Sequence, residues 1–410
     1  MRSSALIFGL AMATSAFAGN FTIDSAFASD QAGNASQPLP GQAFWMTVRY
    51  QVGNTQNASM QVSSPWLNLT SPNFQNQAGQ GQATYGPIVP LYDGAIPVHV
   101  RIGDDSVLVE VKLARPTRAI DYFEPRAWQA DFGASLIFKS GQSAKVEWLV
   151  PKALSSGFQD VMSTRAFEGQ LIASDIFRVQ NRLETSAAFH ATTSSVRVNA
   201  EILRTVGFPS LKKIPSDIKQ YLKSETLIES NDKNVKNLVS WALPKKFDKS
   251  MSIYDAAQNL FRATVARIQY VDVAGGRPSA AQALRTGIGD CGFFAAAFSA
   301  ACRNVGIPAR PVTGFLAGTD AWHVWAEFYI PGHGWVPVDP SFADGLDPNG
   351  NLPLYFGVIP ELNQRVATGV GFDHSVGKYK VPILQSPYAL TDAKKVASAG
   401  AWCSLVEISR

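Results

Sequence analysis

Residues 287–298 read Gly-Ile-Gly-Asp-Cys-Gly-Phe-Phe-Ala-Ala-Ala-Phe, and they predict a helix that begins with a cysteine. Asp290 has the short carboxylate that caps a helix N-terminus, and Gly306 and Pro308 are placed to end the helical run that follows. Cys291 therefore lies in the first turn, where the positive end of the helix dipole favours a thiolate. We expect Cys291 to be a nucleophile, although a free cysteine is also commonly a small buried apolar residue.

Two residues that could support this nucleophile lie on a predicted pair of strands after the helix. The alternation of residues 322–330 puts His323 on one face of the first strand. If Tyr329 pairs with Trp335 across the turn, His323 becomes a diagonal neighbour of Asp339 on the second strand. An aspartate there can accept a hydrogen bond from one imidazole nitrogen and leave the other nitrogen to act as a base.

Each of these two residues also has a purely structural interpretation. His323 could be a hydrogen-bonded, half-buried histidine, and Asp339, which precedes Pro340, could be a solvated turn residue. A residue at such a strand end should carry few packing contacts, so Asp339→Asn should leave the thermal stability almost unchanged. A cysteine, a histidine and an aspartate in this order are nevertheless the set that a cysteine nucleophile requires.

Four motifs, in order along the chain, carry a resemblance to a known family. They are Gly289-Asp290-Cys291, Gly306-Ile307-Pro308-Ala309-Arg310, Trp322-His323-Val324-Trp325-Ala326-Glu327 and Trp335-Val336-Pro337-Val338-Asp339-Pro340-Ser341. The stretch from about residue 214 to residue 342 resembles the catalytic core of the transglutaminase-like superfamily, in its exported bacterial type. The resemblance implies a papain-like α+β fold with Cys291 as nucleophile, His323 as base and Asp339 as the residue that orients the base.

The same resemblance places three other residues. Tyr270 falls where bacterial members often carry a Tyr or Trp near the oxyanion site, while Arg310 is expected to support the fold rather than the chemistry. Ser341 is a mild departure from a motif that often ends in Thr. Nothing in the chain resembles the calcium-binding segments of animal tissue transglutaminases, and the resemblance implies neither a metal nor an organic cofactor.

The reaction that the resemblance implies is acyl transfer on a protein or peptide substrate. The Cys291 thiolate would attack an amide carbonyl, an amine would leave, and the resulting thioester would pass its acyl group to an incoming amine or to water. Two alternatives stay open. One is a cysteine peptidase or amidase with the same triad, and the other is a noncatalytic binding or assembly protein built on this fold.

The composition is that of a soluble globular protein. The chain has 410 residues, of which 46% are hydrophobic and 17% charged, and its formal net charge is +4. Because it has no dense run of Lys and Arg, nucleic acid is not an expected partner. No segment reaches the ~20 apolar residues of a membrane span. Residues 1–18 match a secretory signal peptide that ends in Ala-Phe-Ala, which predicts an exported protein, periplasmic or secreted.

The chain has only three cysteines, Cys291, Cys302 and Cys403, which excludes a framework of disulfides. Cys302 follows Cys291 by three helical turns, or ~16 Å, so these two cannot bridge within one helix. A disulfide between Cys302 and Cys403 would leave Cys291 free. The alternative is that Cys302 and Cys403 are two buried thiols.

Short strands dominate the chain before its helices. Residues 19–205 predict an antiparallel all-β, sandwich-like N-terminal domain. The helices and the motif strands predict a catalytic domain over residues 206–375, followed by a C-terminal extension, 376–410, with a strand at 402–408. The predicted N-terminal strands include residues 44–52, a hairpin of 98–102 with 107–113, a hairpin of 134–138 with 144–150, and the strands 187–192 and 195–202.

Overall fold

The computed structural model of the chain describes residues 20–153, 155–166, 169–173, 175–244, 251–272, 277–319, 321–377 and 379–409. The signal peptide predicted over residues 1–18 lies outside these ranges. The chain forms two compact units, one within residues 1–118 and one within residues 119–410. No helix in the ranges given is both long and apolar enough to cross a membrane.

The described strands of the first unit all pair antiparallel. Their sheets have the orders β1-β2-β7, β5-β4-β8-β9 and β3-β6. Burial alternates residue by residue along the eighth strand, so one apolar face covers the core while the other meets solvent. The strands are β1 Phe21–Ser29, β2 Phe44–Val52, β3 Gln56–Ala58, β4 Met60–Ser64, β5 Leu67–Thr70, β6 Phe74–Asn76, β7 Gly79–Ile88, β8 Ile96–Ile102 and β9 Asp105–Val111.

Two predictions for this unit are confirmed. The strand predicted over residues 44–52 has the same bounds as β2. The predicted hairpin of residues 98–113 is present as β8 and β9, with a tighter turn, since Ile102 pairs with Asp105. The β-rich character of the N-terminal region is therefore as the sequence predicts.

The second unit contains more strands and the helices that the structure describes. Two of its four-stranded sheets have the orders β12-β15-β10-β25 and β13-β14-β11-β24, and a third has the order β20-β19-β18-β21. The strands are β10 Ile120–Phe138, β11 Glu147–Pro151, β12 Gln159–Ala166, β13 Gln170–Ala173, β14 Ile176–Gln180, β15 Glu184–Val198, β16 Gln269–Tyr270, β17 Ile288–Gly289, β18 Ala309–Leu316, β19 Trp322–Ile330, β20 Gly334–Val338, β21 Arg365–Val370, β22 His374–Val376, β23 Tyr379–Val381, β24 Tyr388–Leu390 and β25 Val396–Glu407.

The predicted hairpin of residues 134–138 with 144–150 is wrong. Residues 134–138 are the end of β10, a 19-residue strand that pairs with β15 and β25, while β11 pairs with β14 and β24 in another sheet. The apolar residues Trp128, Ala130, Phe132, Ala134 and Leu136 are buried at every second position of β10. This long apolar face needs partners of similar length, and a short local hairpin cannot supply them.

A second correction concerns residues 187–202. The two strands predicted there are one strand, β15, up to Val198. After that strand a helix begins, because the side chain of Asn199 accepts hydrogen bonds from the backbone N–H groups of Glu201 and Ile202.

Four of the helices begin at a side chain that caps the N-terminus, and the cap predicted at Asp290 is one of them. Asp232, Ser252, Ser279 and Asp290 each accept a hydrogen bond from the first turn of the helix that follows. The last of these helices ends at Gly306, whose φ of 92° is left-handed. The helices are α1 Ala200–Arg204, α2 Lys233–Ala242, α3 Ile253–Arg267, α4 Ala280–Thr286, α5 Cys291–Val305 and α6 Pro340–Leu346.

The third sheet of the second unit has the predicted register. Tyr329 pairs with Trp335 across the β19–β20 turn, and Ala326 pairs with Val338. This register brings the end of β20 beside the first residues of β19. The predicted α+β character is confirmed, and α1 to α5 precede this sheet as predicted, whereas α6 lies between β20 and β21.

The C-terminal strand lies beside β10. Strand β25 pairs antiparallel with it from Trp128 opposite Glu407 to Phe138 opposite Val396. The strand predicted over residues 402–408 is therefore present, and it is longer than predicted. The predicted domain boundaries after residues 205 and 375 stay predictions, whereas the two compact units divide after residue 118.

Strand β21 approaches β18 closely at Gly314. Gly314 pairs with His323 on one side and with Ala367 on the other, next to a β-bulge. A Cβ atom at Gly314 would overlap the carbonyl oxygen of Val366 and lie 2.9 Å from its carbonyl carbon. Only glycine lets the two backbones come this close, and this approach sets the position of β21, which begins with Arg365.

We expect Gly314→Ala to lower the free energy of unfolding by about 1–3 kcal/mol, because the backbone of β21 must move away from β18. Thermal unfolding followed by circular dichroism measures this loss. The control is Gly345→Ala in α6, where a Cβ atom would meet nothing within 4 Å. Alanine there should leave the stability unchanged or raise it slightly. Equal midpoints for the two variants would contradict the packing argument.

Candidate active site

Cys291 is the first residue of α5, as the sequence predicts. Asp290 caps this helix through Oδ1, which accepts hydrogen bonds from the backbone N–H of Gly292 at 2.9 Å and of Phe293 at 3.4 Å. Strand β17, which precedes the cap, pairs in parallel with β16, so Gly289 lies opposite Tyr270. The cap and the strand pair together fix the direction in which Cys291 enters the helix.

The thiol of Cys291 is a weaker acid than the sequence predicts. Burial, followed by the negative charge of Asp290, raises the pKa of Cys291 to about 12. Hydrogen bonds from the backbone N–H groups of Val324 and Gly292 act in the opposite direction, and the second of these belongs to the helix N-terminus. The helix end therefore favours the thiolate, but burial and the charge of Asp290 oppose it and have the larger effect on the pKa. The reactive thiolate stays a prediction.

His323 and Asp339 are in direct contact. Nε2 of His323 lies 2.8 Å from Oδ2 of Asp339, and both side chains are buried. This pairing is the diagonal contact between β19 and the end of β20 that the register predicts. Because Nε2 is engaged by the carboxylate, Nδ1 is the ring nitrogen left for proton exchange.

The side chain of Cys291 contacts the backbone of β19 next to His323. The hydrogen bond from the N–H of Val324 brings the Cys291 sulfur to the residue that directly follows His323. The imidazole also packs against the ring of Phe342, at a centroid distance of 4.8 Å. The structure thus places all three predicted residues in one region, while their roles as a catalytic triad stay a prediction.

Asp339 is held by more contacts than the sequence predicts. Its side chain has no exposure to solvent, and Oδ1 accepts hydrogen bonds from Ser341 Oγ at 2.8 Å and from the N–H of Phe342 at 3.2 Å. It is therefore also the N-cap of α6. The expectation that Asp339 carries few contacts is wrong, and Asp339→Asn would alter stability as well as chemistry.

Burial alone would raise the pKa of Asp339, but the positive charges of His323 and Arg365 lower it overall. A carboxyl whose pKa is lower in the folded state than in the unfolded state stabilises the fold above its ordinary pKa. That stabilisation is lost as the pH falls below about 4 and towards the folded-state value. Asp339 therefore stabilises the folded protein at neutral pH.

Arg365 is the residue of this site that the sequence analysis missed. Its Nη1 donates to Oδ2 of Asp339 at 2.5 Å, and its side chain is 1% exposed. Nη2 donates to Oε1 of Glu361 at 3.1 Å. The one local signal is the Glu-to-Arg spacing of four residues from Glu361, which is common on exposed helices and therefore carries little specificity.

Tyr270 lies near the predicted nucleophile. Its ring stacks on Phe294 of α5 at a centroid distance of 6.4 Å, and its backbone N–H donates to Asp344 at 2.9 Å. Burial raises the pKa of the Tyr270 phenol first, and the negative charges of Cys291 and Asp290 raise it further. The phenol is therefore within electrostatic reach of the Cys291 sulfur, although its role at an oxyanion stays a prediction.

Arg310 and Ser341 have structural partners. Arg310 donates from Nε and Nη2 to Oε2 of Glu327, at 3.0 and 2.8 Å, and its guanidinium lies 4.0 Å from the ring centroid of Trp335. These contacts link β18, β19 and β20. Ser341 supplies a hydroxyl to Asp339, which is a contact that a threonine could also make.

The other cysteines lie in the core. Cys302 and Cys403 are buried and are not joined by a disulfide, so the predicted alternative of two buried thiols is the one that the structure has. Burial raises the pKa of Cys302 well above its ordinary value. Among the residues described by the structure, no group of three or more His, Cys, Asp and Glu side chains is arranged to hold a metal ion.

Comparison with known families agrees with this arrangement. A family model described as the transglutaminase-like superfamily matches residues 242–340, which include α5, β19 and β20. Residues 242–340 are therefore similar to the transglutaminase-like superfamily. The match ends at Pro340 and so includes Cys291, His323 and Asp339, but not Arg365. The search among curated proteins finds no match.

Comparison with solved structures gives matches to proteins of three bacteria. A proposed cysteine protease from Cytophaga hutchinsonii has a TM-score of 0.50 at 17% identity, over 71% of this chain and 94% of that one. The periplasmic domain of TgpA from Pseudomonas aeruginosa has a TM-score of 0.29 at 15% identity, over 56% and 91%. A proposed protease from Parabacteroides distasonis has a TM-score of 0.21 at 10% identity, over 71% and 62%. At these identities the likeness to the first structure shows the fold alone.

Asp290→Asn should shift the reactivity of Cys291 to lower pH. Asn is as good an N-cap as Asp, so α5 should persist, while the negative charge that raises the pKa of Cys291 is lost. We expect the alkylation profile to move down by on the order of one pH unit. The measurement is the rate of iodoacetamide labelling of Cys291 between pH 6 and 10, followed by mass spectrometry.

The matched control is Asp232→Asn at the N-cap of α2, which should leave the profile of Cys291 in place. In both proteins Cys302 and Cys403 should label only on unfolding, since both are buried. If the pH dependence of Cys291 alkylation in Asp290→Asn is unchanged or moves to higher pH, the charge of Asp290 does not raise the pKa of the thiol.

Proposed function

We propose that this protein is an exported transglutaminase-like cysteine enzyme that transfers an acyl group from an amide of a protein or peptide to an amine or to water. The observation that carries the proposal is the buried hydrogen bond between His323 and Asp339, beside a cysteine that begins a helix. A base oriented by a carboxylate next to a thiol is the arrangement that nucleophilic catalysis by cysteine requires. Export rests on the signal peptide predicted for residues 1–18.

Acylation begins from a neutral thiol, since the pKa of Cys291 is raised to about 12. Nδ1 of His323 takes the thiol proton as the sulfur attacks the carbonyl carbon of the amide. The buried carboxylate of Asp339 stabilises the imidazolium that forms. His323 then donates this proton to the amide nitrogen, the C–N bond breaks, and an amine leaves a thioester on Cys291.

Deacylation uses the same groups in reverse order. An incoming amine or water gives a proton to Nδ1 of His323 as it attacks the thioester carbonyl. The C–S bond breaks, and the sulfur of Cys291 recovers the proton from the imidazolium. With an amine the product is a new amide, and with water it is a carboxylic acid.

The oxyanion of each tetrahedral intermediate needs donors that do not have to rearrange. The backbone N–H of Cys291, at the start of α5, is one such donor, and the phenol of Tyr270 is the second. Because its pKa is raised by burial and by neighbouring negative charge, Tyr270 keeps its proton and can donate it in a hydrogen bond.

A protein or peptide is the substrate class that the surroundings of Cys291 favour. Strands β16 and β17 lead to the site. Tyr270 in β16, Val271 directly after it and Ile288 in β17 all have exposed side chains. Leu346, at the end of α6, is also exposed. Exposed apolar side chains beside a nucleophile fit a polypeptide segment with an apolar residue near its reacting amide.

Cys291→Ala should abolish turnover and leave the fold intact, since only one sulfur atom is removed from a partly exposed residue. The assay incubates the protein with a glutamine-containing peptide and a primary amine and analyses the products by mass spectrometry. A mass increase by the amine, deamidation of the glutamine and cleavage of the peptide distinguish transamidation, amidase and peptidase activity.

The control for this variant is Cys302→Ala in the same helix, which should keep its activity because Cys302 is buried in the core. Persistent turnover by a folded Cys291→Ala protein would refute the proposed mechanism. No product with any donor, from a folded wild-type protein, would favour a noncatalytic binding or assembly protein.

Tyr270→Phe should lower kcat by about 10²–10³, the usual effect of removing one oxyanion donor, with a much smaller effect on KM. The ring remains, so its packing on Phe294 and the fold should persist. The control is Tyr85→Phe in β7, which removes a phenol that donates to the carbonyl oxygen of Thr70 and should leave kcat unchanged. Equal kcat values for Tyr270→Phe and wild type would exclude the phenol from the oxyanion site.

A further inference from the structure

We propose that Arg365 is a positioning residue that acts through Asp339, and that Arg365 and Glu361 together set the pH range in which His323 can serve as the base. The inference rests on the proposed function for the role of His323. It goes beyond that function by adding two residues outside the segment that matches the family model, which ends at Pro340.

The first observation is that His323 and Arg365 bind the same atom. Nε2 of His323 lies 2.8 Å from Oδ2 of Asp339, and Nη1 of Arg365 lies 2.5 Å from that oxygen. The other oxygen, Oδ1, accepts from Ser341 and from the backbone of Phe342. When His323 is protonated, two positive groups therefore share one negative charge in a site without solvent.

The second observation is that Arg365 is rigidly held. Its guanidinium lies 4.6 Å from the ring centroid of Phe342 and 5.7 Å from that of Trp325. The same Phe342 ring packs on His323. Because its planar guanidinium bridges two carboxylates and lies close to two aromatic rings, Arg365 helps to fix both the position and the charge of Asp339.

The third observation is that Arg365 has its own counter-charge. Nη2 donates to Oε1 of Glu361, four residues earlier, at 3.1 Å. The side chain of Glu361 is 28% exposed, so it meets solvent while Arg365 does not. Glu361 also interacts with Tyr355, and burial, followed by the charge of Glu361, raises the pKa of that phenol and keeps it neutral.

These charges act on His323 with opposite signs. The negative charges of Asp339 and Glu361 favour an imidazolium at His323, whereas the positive charge of Arg365 disfavours it. On the side of α5, Asp290 is a further negative group, and Cys291 and Tyr270 are neutral unless they lose a proton. The balance between Arg365 and Glu361 therefore decides how readily His323 holds or releases a proton.

Replacement of the two residues should thus move the titration of His323 in opposite directions. Arg365→Met removes the positive charge, so the imidazolium should persist to higher pH, by about one pH unit. Glu361→Gln removes the negative charge and leaves Arg365 to act on Asp339 alone, so the midpoint should move to lower pH. A residue that only supports the fold would lower stability without producing this pair of opposite shifts.

The experiment is an NMR titration of the ¹⁵N-labelled histidine side chains of the full-length protein. All variants are made in a Cys291→Ala background, so that the thiol does not titrate with the imidazole and no turnover is needed. His323→Asn assigns the signal of His323 among the 5 histidines. Failure to find enzymatic activity would therefore not affect this result, and the two proposals are tested separately.

The matched control is Arg365→Lys, which keeps the positive charge beside Asp339 and should keep the midpoint near that of the parent protein. A midpoint that does not move in Arg365→Met and Glu361→Gln, or that moves in the same direction in both, would overturn the proposal. If Arg365→Met does not fold, Glu361→Gln decides alone, because Glu361 is partly exposed and its replacement should leave the fold intact.

Discussion

The carboxylate of Asp339 is the group on which the geometry of the candidate site depends. It has no contact with solvent, and an unpaired charge in that position would cost several kcal/mol. Four donors remove this cost, and they come from β19, from the first turn of α6 and from β21. The sheet order β20-β19-β18-β21 and the close approach at Gly314 bring Arg365 of β21 to this carboxylate. They therefore serve to pair one buried charge as well as to pack the sheet.

The same charge defines the kind of cysteine chemistry that fits this site. In the mechanism proposed above, a thiol whose pKa is raised by burial and by Asp290 gives its proton to His323 during the attack. The imidazolium formed in that step is stabilised by Asp339 and opposed by Arg365. Charge thus develops in the transition state more than in the resting protein, which is the situation in which preorganised groups accelerate a reaction.

Local signals were sufficient to predict much of the fold and of the site. The cap at Asp290, the end of α5 at Gly306 and the pairing of Tyr329 with Trp335 each depend on a few neighbouring residues. Long-range partners were missed. The sequence of β10 predicted only a short hairpin strand, because its 19-residue length depends on the distant partners β15 and β25. Arg365 likewise contacts Asp339 only because β21 pairs with β18. Burial of Asp339 could not be predicted either, because the donors that permit it are distant in the chain.

The pairing of β10 with β25 has a consequence for the order in which the chain can fold. Strand β10, residues 120–138, can pair with β25 only after residues 396–407 have been synthesised. This part of the sheet therefore cannot be complete until almost the whole second unit has been made. Contacts between such distant segments form slowly, because a long loop has to close first. Cys291, His323 and Asp339 lie within that loop. A nascent chain therefore carries the residues of the candidate site before β25, the strand that completes this sheet, has been synthesised.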